Sequence, residues 1–187
     1  MFCRKCGTEN EDQAPAATVE AEDGYSGMFP EILQWDERWG YSPYGTSIIA
    51  VSGCGPTCVS MLVVGLTGDK TVTPSVVADY ATQNHYVDEN NDTTWAFMTS
   101  GVEHWGLTCR ESNGNESEIA KELEAGHPVI CSMRPGDFTD IGHFIILTSY
   151  NNGNVTICDP FSLENSKKSW NYSQISSQIK AVWVYSK

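Results

Sequence analysis

One cysteine lies at the predicted start of the most apolar helix of the chain. It is Cys54, in the sequence SGCGPT (residues 52–57), and the most apolar run follows at 59–66. Proline is favoured in the first turn of a helix, because the backbone N–H that it lacks would have no partner there. The pattern therefore predicts a helix that begins at Cys54. The positive end of the helix dipole stabilises a thiolate at that position, which makes Cys54 a candidate nucleophile.

The other groups that a cysteine nucleophile needs are present elsewhere in the chain. A thiol hydrolase uses an imidazole base, a group that orients the imidazole, and hydrogen-bond donors for the oxyanion. His143 is the candidate base and Asp159 the candidate orienting group. The backbone N–H of Cys54 and the side-chain amide of Gln34 are the candidate oxyanion donors. The order cysteine, histidine, aspartate is that of papain-like hydrolases.

Each of these candidates also fits a purely structural role. Gln34 is typical of a surface glutamine before a turn, and His143 of a hydrogen-bonded histidine in a strand. An Asp-Pro pair such as Asp159-Pro160 often does no more than end a strand.

The turn between two predicted strands provides a geometric check on the histidine and the aspartate. Asn-Asn-Gly at 151–153 indicates a hairpin. We predict that all three residues form the loop, with the glycine in the left-handed region. Asp159 then lies opposite Ile145, on the same sheet face as His143 and roughly 7–8 Å away on the diagonal. A two-residue turn would place the pair on opposite faces, so this loop supports the triad.

Composition excludes several classes of function. The chain has 187 residues and a formal net charge of −13 at pH 7. This length fits one domain, and 40% hydrophobic residues suffice for a core. The negative charge argues against nucleic acid and against an anionic membrane surface, because no basic stripe is present to displace counterions. No run of about 18 apolar residues occurs, so no membrane span is predicted.

The compartment is predicted only conditionally. Seven cysteines is an odd number, and their spacing shows no disulfide framework, which favours a reducing compartment. No signal peptide opens the sequence as given. We therefore expect a cytoplasmic protein, or an extracellular or cell-surface protein if an export segment was lost.

The chain divides into two predicted regions and an α+β domain. Residues 1–28 are predicted to be a zinc-knuckle-like start followed by an acidic, disordered linker. Residues 29–187 are predicted to form the folded domain. Helices are predicted from Cys54, from Thr73-Pro74 to about Asn84, over 94–105 and over 115–126; strands are predicted at 107–110, 128–133, 143–150, 154–159 and 181–185. Helices before antiparallel strands predict an α+β fold in which the Cys54 helix packs on the sheet.

No cofactor is predicted, and the metal signal is weak. Cys3 and Cys6 form half of a zinc knuckle, but structural zinc needs four ligands and no second Cys-x-x-Cys follows. The remaining histidines, His85, His104 and His127, have no partner at metal-ligand spacing. The other cysteines, at 58, 109, 131 and 158, are predicted to be small hydrophobic residues.

An ordered set of motifs over about residues 30–187 resembles the C-thirty-nine-like cysteine peptidases of bacteria. The motifs are Gln34-Trp-Asp-Glu-Arg-Trp39-Gly40, Gly53-Cys54-Gly55-Pro56-Thr57, Gly65-Leu-Thr-Gly68, Thr73-Pro74, Gly126-His-Pro128-Val129-Ile130, Gly142-His143-Phe144 and Asp159-Pro160. Relatives of this type include peptidase domains that trim double-glycine leaders in export transporters. The first ten residues resemble the first knuckle of a zinc ribbon cut short.

The resemblance implies a papain-like fold and roles for four residues. Cys54 would be the nucleophile, His143 the base and then the acid, Asp159 its orienting group, and Gln34 an oxyanion donor. The substrate would be a peptide or protein, and the walls of its cleft would include Trp35, Trp95 or Trp105. Two alternatives stay open: an acyl or peptidyl transferase with the same triad, and a papain-like module that binds peptides without cutting them.

Overall fold

Helices occupy the first half of the chain and a six-stranded antiparallel sheet the second. The computed structural model describes residues 17–20 and 23–187. The first half contains β1 (Tyr25–Ser26), β2 (Phe29–Pro30), β3 (Pro43–Tyr44), β4 (Ser47–Ile48), α1 (Ile49–Ser52), α2 (Cys54–Thr67), α3 (Pro74–Gln83), α4 (Trp95–Met98) and a 3-10 helix (Ser100–Trp105). The second half contains β5 (Thr108–Ser112), α5 (Glu116–Glu124), β6 (Val129–Met133), β7 (His143–Asn151), β8 (Asn154–Cys158), α6 (Leu163–Ser166), β9 (Trp170–Asn171), α7 (Tyr172–Ser176) and β10 (Ile179–Ser186).

The helix predicted at Cys54 is the longest element of the first half. α2 begins at Cys54, has Pro56 in its first turn, and ends where Gly68 takes a left-handed φ of 78°. Glycine adopts this backbone conformation without the steric cost that a side chain would add. α3 likewise begins with Pro74 after Thr73, as predicted. Local residue chemistry therefore sets both helix starts.

The single helix predicted over 94–105 is wrong. The structure has a short α4 and a separate 3-10 helix, because the backbone leaves helical angles at Thr99, where ψ is −89°. Gly101 follows this break and packs against the Phe97 ring so closely that a Cβ would collide with it. The segment therefore folds back on its own aromatic side chain instead of continuing as one helix.

The antiparallel sheet has helices on both faces. Its strand order is β5-β10-β6-β7-β8-β9, and all neighbouring pairs are antiparallel. Side chains of successive residues alternate between two clusters: Phe144 and Ile146 pack with α2, whereas Ile145 and Leu147 pack with α5. The predicted fold class, with the Cys54 helix packed on an antiparallel sheet, is confirmed.

The hairpin between β7 and β8 differs from the predicted one. Asn151 pairs with Asn154, so the loop contains two residues and the predicted three-residue loop is wrong. Asn152 and Gly153 have φ values of 48° and 84°. Two positive φ angles are the requirement of a type I′ turn, and Asn-Gly is the pair that best tolerates them.

A β-bulge restores the register that the short loop would have lost. Ser149 pairs with Thr156, but Leu147 pairs with Ile157, which leaves Thr148 as an extra residue in β7. The hydroxyl of Thr148 is hydrogen-bonded to Thr156 at 2.8 Å and to Ser26 of β1 at 2.9 Å. Beyond the bulge, the register places Asp159 opposite Ile145.

The packed part of the chain extends before residue 29. Val19 is fully buried in the core and its N–H donates to the carbonyl of Lys70 at 3.0 Å. β1 and β2 form a small antiparallel hairpin over residues 25–30. Residues 1–16 and 21–22, including Cys3 and Cys6, lie outside the described residues. In the described part of the chain, no helix has the length and apolarity needed to cross a membrane.

Candidate active site

A tight junction between two helices places Cys54. The N–H of Gly53 closes α1 on the carbonyl of Ile49 at 2.8 Å, and Gly53 then accepts from the N–H of Thr57 at 3.0 Å. A Cβ at Gly53 would lie 2.6 Å from the Ile49 oxygen, so only glycine fits this junction. Cys54 is half-buried at the first position of α2.

The first turn of α2 is held beside strand β7. One turn after Cys54, the buried Cys58 thiol donates to the carbonyl of Phe144 at 3.4 Å. This contact fixes the start of α2 next to the start of β7, whose first residue is His143. The nucleophile candidate and the base candidate therefore meet across the junction of the helical half and the sheet.

His143 and Asp159 form a buried pair at the end of the sheet. Their relative exposures are 8% and 2%, and His143 Nε2 lies 2.7 Å from Asp159 Oδ1. Because Asp159 contacts Nε2, the ring nitrogen Nδ1 is the one left for Cys54. Because Thr148 is an extra residue in β7, the register beyond it directs His143 and Asp159 to the same face of the sheet.

The pKa of His143 is raised. Burial lowers it, because the charged imidazolium loses solvation, but the hydrogen bonds to Asp159 and then to Cys54 outweigh burial and raise the pKa to about 9. His143 is consequently protonated at neutral pH. A protonated imidazole next to a thiol is the arrangement that stabilises a thiolate.

Gln34 is near the site, and its side-chain amide contacts the backbone of α1. It is 3% exposed, and its Nε2 donates to the carbonyls of Ala50 at 3.1 Å and Ile49 at 3.3 Å. Its Oε1 is buried without a hydrogen-bond partner among the residues described. The backbone N–H of Gln34 donates to Pro160 at 2.7 Å, which ties Gln34 to the segment after Asp159.

A cleft of about 520 Å³ opens from Cys54 and His143. One wall belongs to the helical half and includes the segment Thr93–Trp95; the other belongs to the sheet and includes Ser132 and Gly142. Gly55 permits the close approach of the first wall, because a Cβ there would lie 2.7 Å from the Thr93 side chain. The cleft gives a substrate access to the thiol and the imidazole together.

Of the three tryptophans considered for the cleft walls, Trp95 lines the cleft. Trp35 is outside the residues that line this cleft, and its Nε1 donates to the carbonyl of Phe161 at 2.9 Å. Trp105 instead packs edge-on against Tyr80, away from the cleft.

Comparison with known proteins identifies the family. The Peptidase_C39 like family matches residues 26–187. The chain belongs to this peptidase family. No curated protein matches it in sequence.

Two solved structures are similar to this C39-like chain. The peptidase domain of Streptococcus ComA, a bi-functional ABC transporter involved in a quorum-sensing pathway, has 13% identity and a TM-score of 0.52, covering 79% of this chain and 99% of that domain. A putative C39-like peptidase from Bacillus anthracis has 17% identity and a TM-score of 0.47, and the match covers 91% of this chain and 98% of that one. The first likeness shows the shared fold.

One residue at the site of this C39-like chain was missed from the sequence. Asn165 of α6 donates from Nδ2 to Asp159 Oδ2 at 2.8 Å, while the N–H of Phe161 donates to Asp159 Oδ1 at 2.9 Å. Oδ1 of Asp159 therefore contacts both His143 and the N–H of Phe161, whereas Oδ2 accepts from Asn165. The only sequence signal was Ser162, which caps α6 through the N–H of Asn165 at 3.2 Å and so fixes where that helix begins.

The other cysteines that the structure describes in this C39-like chain occupy structural positions. Burial raises the pKa of Cys58, Cys131 and Cys158 far above its usual range, and raises that of the half-buried Cys109 to about 11. These thiols behave as small hydrophobic residues. Within residues 17–20 and 23–187, no cluster of three or more His, Cys, Asp or Glu could hold a metal ion.

Replacing Asp159 tests the origin of the His143 charge. Asp159→Asn is expected to lower the His143 pKa from about 9 to 6.5 or below, because the attraction of the carboxylate is lost while burial remains. Titration of the imidazole ¹⁵N signals by NMR measures this shift. Glu122→Gln removes the partner of His127 Nδ1, 2.8 Å away, and serves as the control that must leave His143 unchanged. A pKa near 9 in Asp159→Asn would contradict the assignment.

Proposed function

We propose that this chain is a cysteine peptidase that cleaves a peptide bond through an acyl-enzyme on Cys54. The observation that carries the proposal is that Cys54 and His143, from separate segments, line one cleft while Asp159, from a third segment, is hydrogen-bonded to His143 in the buried interior. Membership of a peptidase family supports it. The burial of the His143–Asp159 pair and the raised pKa of His143 favour a thiolate–imidazolium pair with Cys54.

The proposed reaction uses both the protonated and the neutral form of His143. The Cys54 thiolate attacks the substrate carbonyl carbon, and the carbonyl oxygen becomes an oxyanion. The oxyanion then collapses, the peptide C–N bond breaks, and protonated His143 gives its proton to the leaving amine. Neutral His143 next takes a proton from water, the hydroxide attacks the thioester, and the acid product leaves with the thiolate restored.

Asp159 holds His143 in the orientation that this sequence needs. Its bond to Nε2 fixes the ring so that Nδ1 faces Cys54, and its charge stabilises the imidazolium. The Phe161 ring lies edge-on to the imidazole with centroids 6.5 Å apart. This aromatic contact partly shields the His143–Asp159 bond from water.

Gln34 completes the proposed oxyanion site together with the Cys54 N–H. The two carbonyls that Gln34 contacts belong to neighbouring residues of α1, so one amide hydrogen can serve both. The second hydrogen is then free for the substrate oxygen. The contact with α1, the helix that directly precedes Gly53 and Cys54, supports this role.

The first prediction from the proposed function concerns the reactivity of the Cys54 thiol. Iodoacetamide at pH 6 is expected to label Cys54 selectively, because His143 stabilises its thiolate, and His143→Ala is expected to abolish the selectivity. Peptide mapping by mass spectrometry measures the labelling. Cys109, half-buried with a pKa of about 11, is the internal control and should stay unlabelled. Equal, slow labelling of both thiols would indicate a peptide-binding module instead of an enzyme.

The second prediction concerns the oxyanion. Gln34→Ala is expected to lower kcat/KM on a cleaved library peptide roughly 100- to 1,000-fold, because one oxyanion donor is lost. Alkylation of Cys54 by iodoacetamide forms no oxyanion and should proceed at nearly the original rate in the same variant. Loss of both rates would show that Gln34 only holds α1 in place.

The third prediction concerns Asn165 as a positioning residue. Asn165→Ala removes one hydrogen bond to Asp159 and is expected to lower kcat roughly fivefold to tenfold with little change in KM. Asn84→Ala is the matched control. Asn84 Nδ2 donates to the backbone carbonyl of Tyr80 at 2.8 Å, and this bond does not involve Asp159. A change in KM alone would contradict a role through Asp159.

A further inference from the structure

Four charged side chains without salt bridges line the cleft. They are Asp88 and Asp92 on the helical wall, and Arg134 and Lys180 on the sheet wall. Each is exposed, and in the part of the chain that the structure describes none of them forms an ion pair. Exposed charges without a partner inside a substrate cleft are available to a ligand.

The negative charges lie next to the nucleophile. Asp88 and Asp92 line the same cleft as Cys54, and Asp92 directly precedes Thr93, which contacts the buried hydroxyl of Tyr44. That hydroxyl is hydrogen-bonded to Thr93 at 2.6 Å. Asp88 Oδ1 is used by the loop, because it accepts the N–H of Asp92 at 2.9 Å. The carboxylate of Asp92 is the more available of the two.

The positive charges are brought together by strand geometry. Arg134 directly follows β6, two residues after Ser132, which also lines the cleft. In β10 the register shifts between Ile179 and Ala181, so Lys180 is a bulge residue whose side chain is turned out of the regular alternation. Its ammonium lies 5.3 Å from the centroid of the Trp95 ring, where the two walls meet.

We propose that the cleft selects an extended peptide segment in which an acidic residue is adjacent to a basic residue. Successive side chains of an extended chain point in opposite directions, so neighbouring residues face different walls. The acidic side chain contacts Arg134 and Lys180, and the basic one contacts Asp92. This inference rests on the proposed peptidase function, since it concerns the substrate of that same site.

Local charge, not net charge, controls this selection. The chain carries −13 overall, which attracts any cationic peptide at long range. An acidic–basic pair adds no net charge to a peptide, so long-range attraction is equal for both orders of the pair. When the pair stands at fixed positions relative to the scissile bond, only one of the two orders directs the acidic side chain to Arg134 and Lys180 and the basic side chain to Asp92.

The experiment compares peptides that differ only in the order or the presence of one charged pair. In an octapeptide that the chain cleaves, Glu-Lys, Lys-Glu and Gln-Gln replace each adjacent pair of positions in turn, and kcat/KM is measured for every peptide. One order at one position is expected to exceed its reverse and the Gln-Gln peptide roughly twofold to fivefold, the range for exposed ion pairs.

Variants of each wall assign the preference. Lys180→Gln is expected to remove the preference for the glutamate and keep that for the lysine, and Asp92→Asn the reverse. The matched controls are Glu89→Gln, in the same loop but outside the cleft lining, and Lys70→Gln, beyond the far end of α2. Both controls should keep the full preference.

The outcomes separate this inference from the proposed function. Equal cleavage of both orders, or a preference unchanged in Lys180→Gln and Asp92→Asn, would overturn the charge-pair inference and leave the peptidase intact. If no peptide is cleaved, the same peptides are titrated against the Cys54→Ser chain and binding is read from tryptophan fluorescence. Order-dependent binding there would support the inference while the peptidase proposal fails, and equal binding would overturn it.

Discussion

The hydrogen bond between His143 and Asp159 is the interaction on which the site depends. Both side chains are almost fully buried, so each loses hydration that the bond between them partly replaces. Burial alone would leave His143 neutral, and the bond to Asp159 is the strongest of the contacts that keep it charged. The bond exists only in one strand register, because a shift of one residue would turn the two side chains to opposite faces.

The nucleophile joins this pair through tertiary contacts between the two halves of the domain. The bond from Cys58 to Phe144 and the close packing of Gly55 on Thr93 fix the first turn of α2 from two sides. Neither contact is local in sequence, so Cys54 approaches His143 only after the helices have packed on the sheet. A change in this packing would therefore alter the reactivity of Cys54 without touching either reacting side chain.

Local residue chemistry made the starts of α2 and α3 and the candidate site residues predictable. Features that depend on long-range contacts were not predictable. Pro56 acts on its own backbone, and so the start of α2 followed from the sequence. The turn did not: a two-residue loop replaced the three-residue one, and the Thr148 bulge restored the same facing of His143 and Asp159. That bulge is held by Ser26, 122 residues away, which no local pattern could indicate. Asn165 was missed for the same reason, since its role depends on where α6 packs.

The site separates reactivity from selectivity by burial. The His143–Asp159 pair is buried, where each interaction is strong and the removal of one partner leaves an uncompensated group. The charges of Asp92, Arg134 and Lys180 are exposed, where ion pairs contribute little each and are screened by salt. If the proposed function and charge-pair selection hold, changes in the exposed charges would alter which peptide is held without altering the chemistry at Cys54. Single surface substitutions would then change the substrate, whereas substitutions in the buried His143–Asp159 pair would remove the reaction.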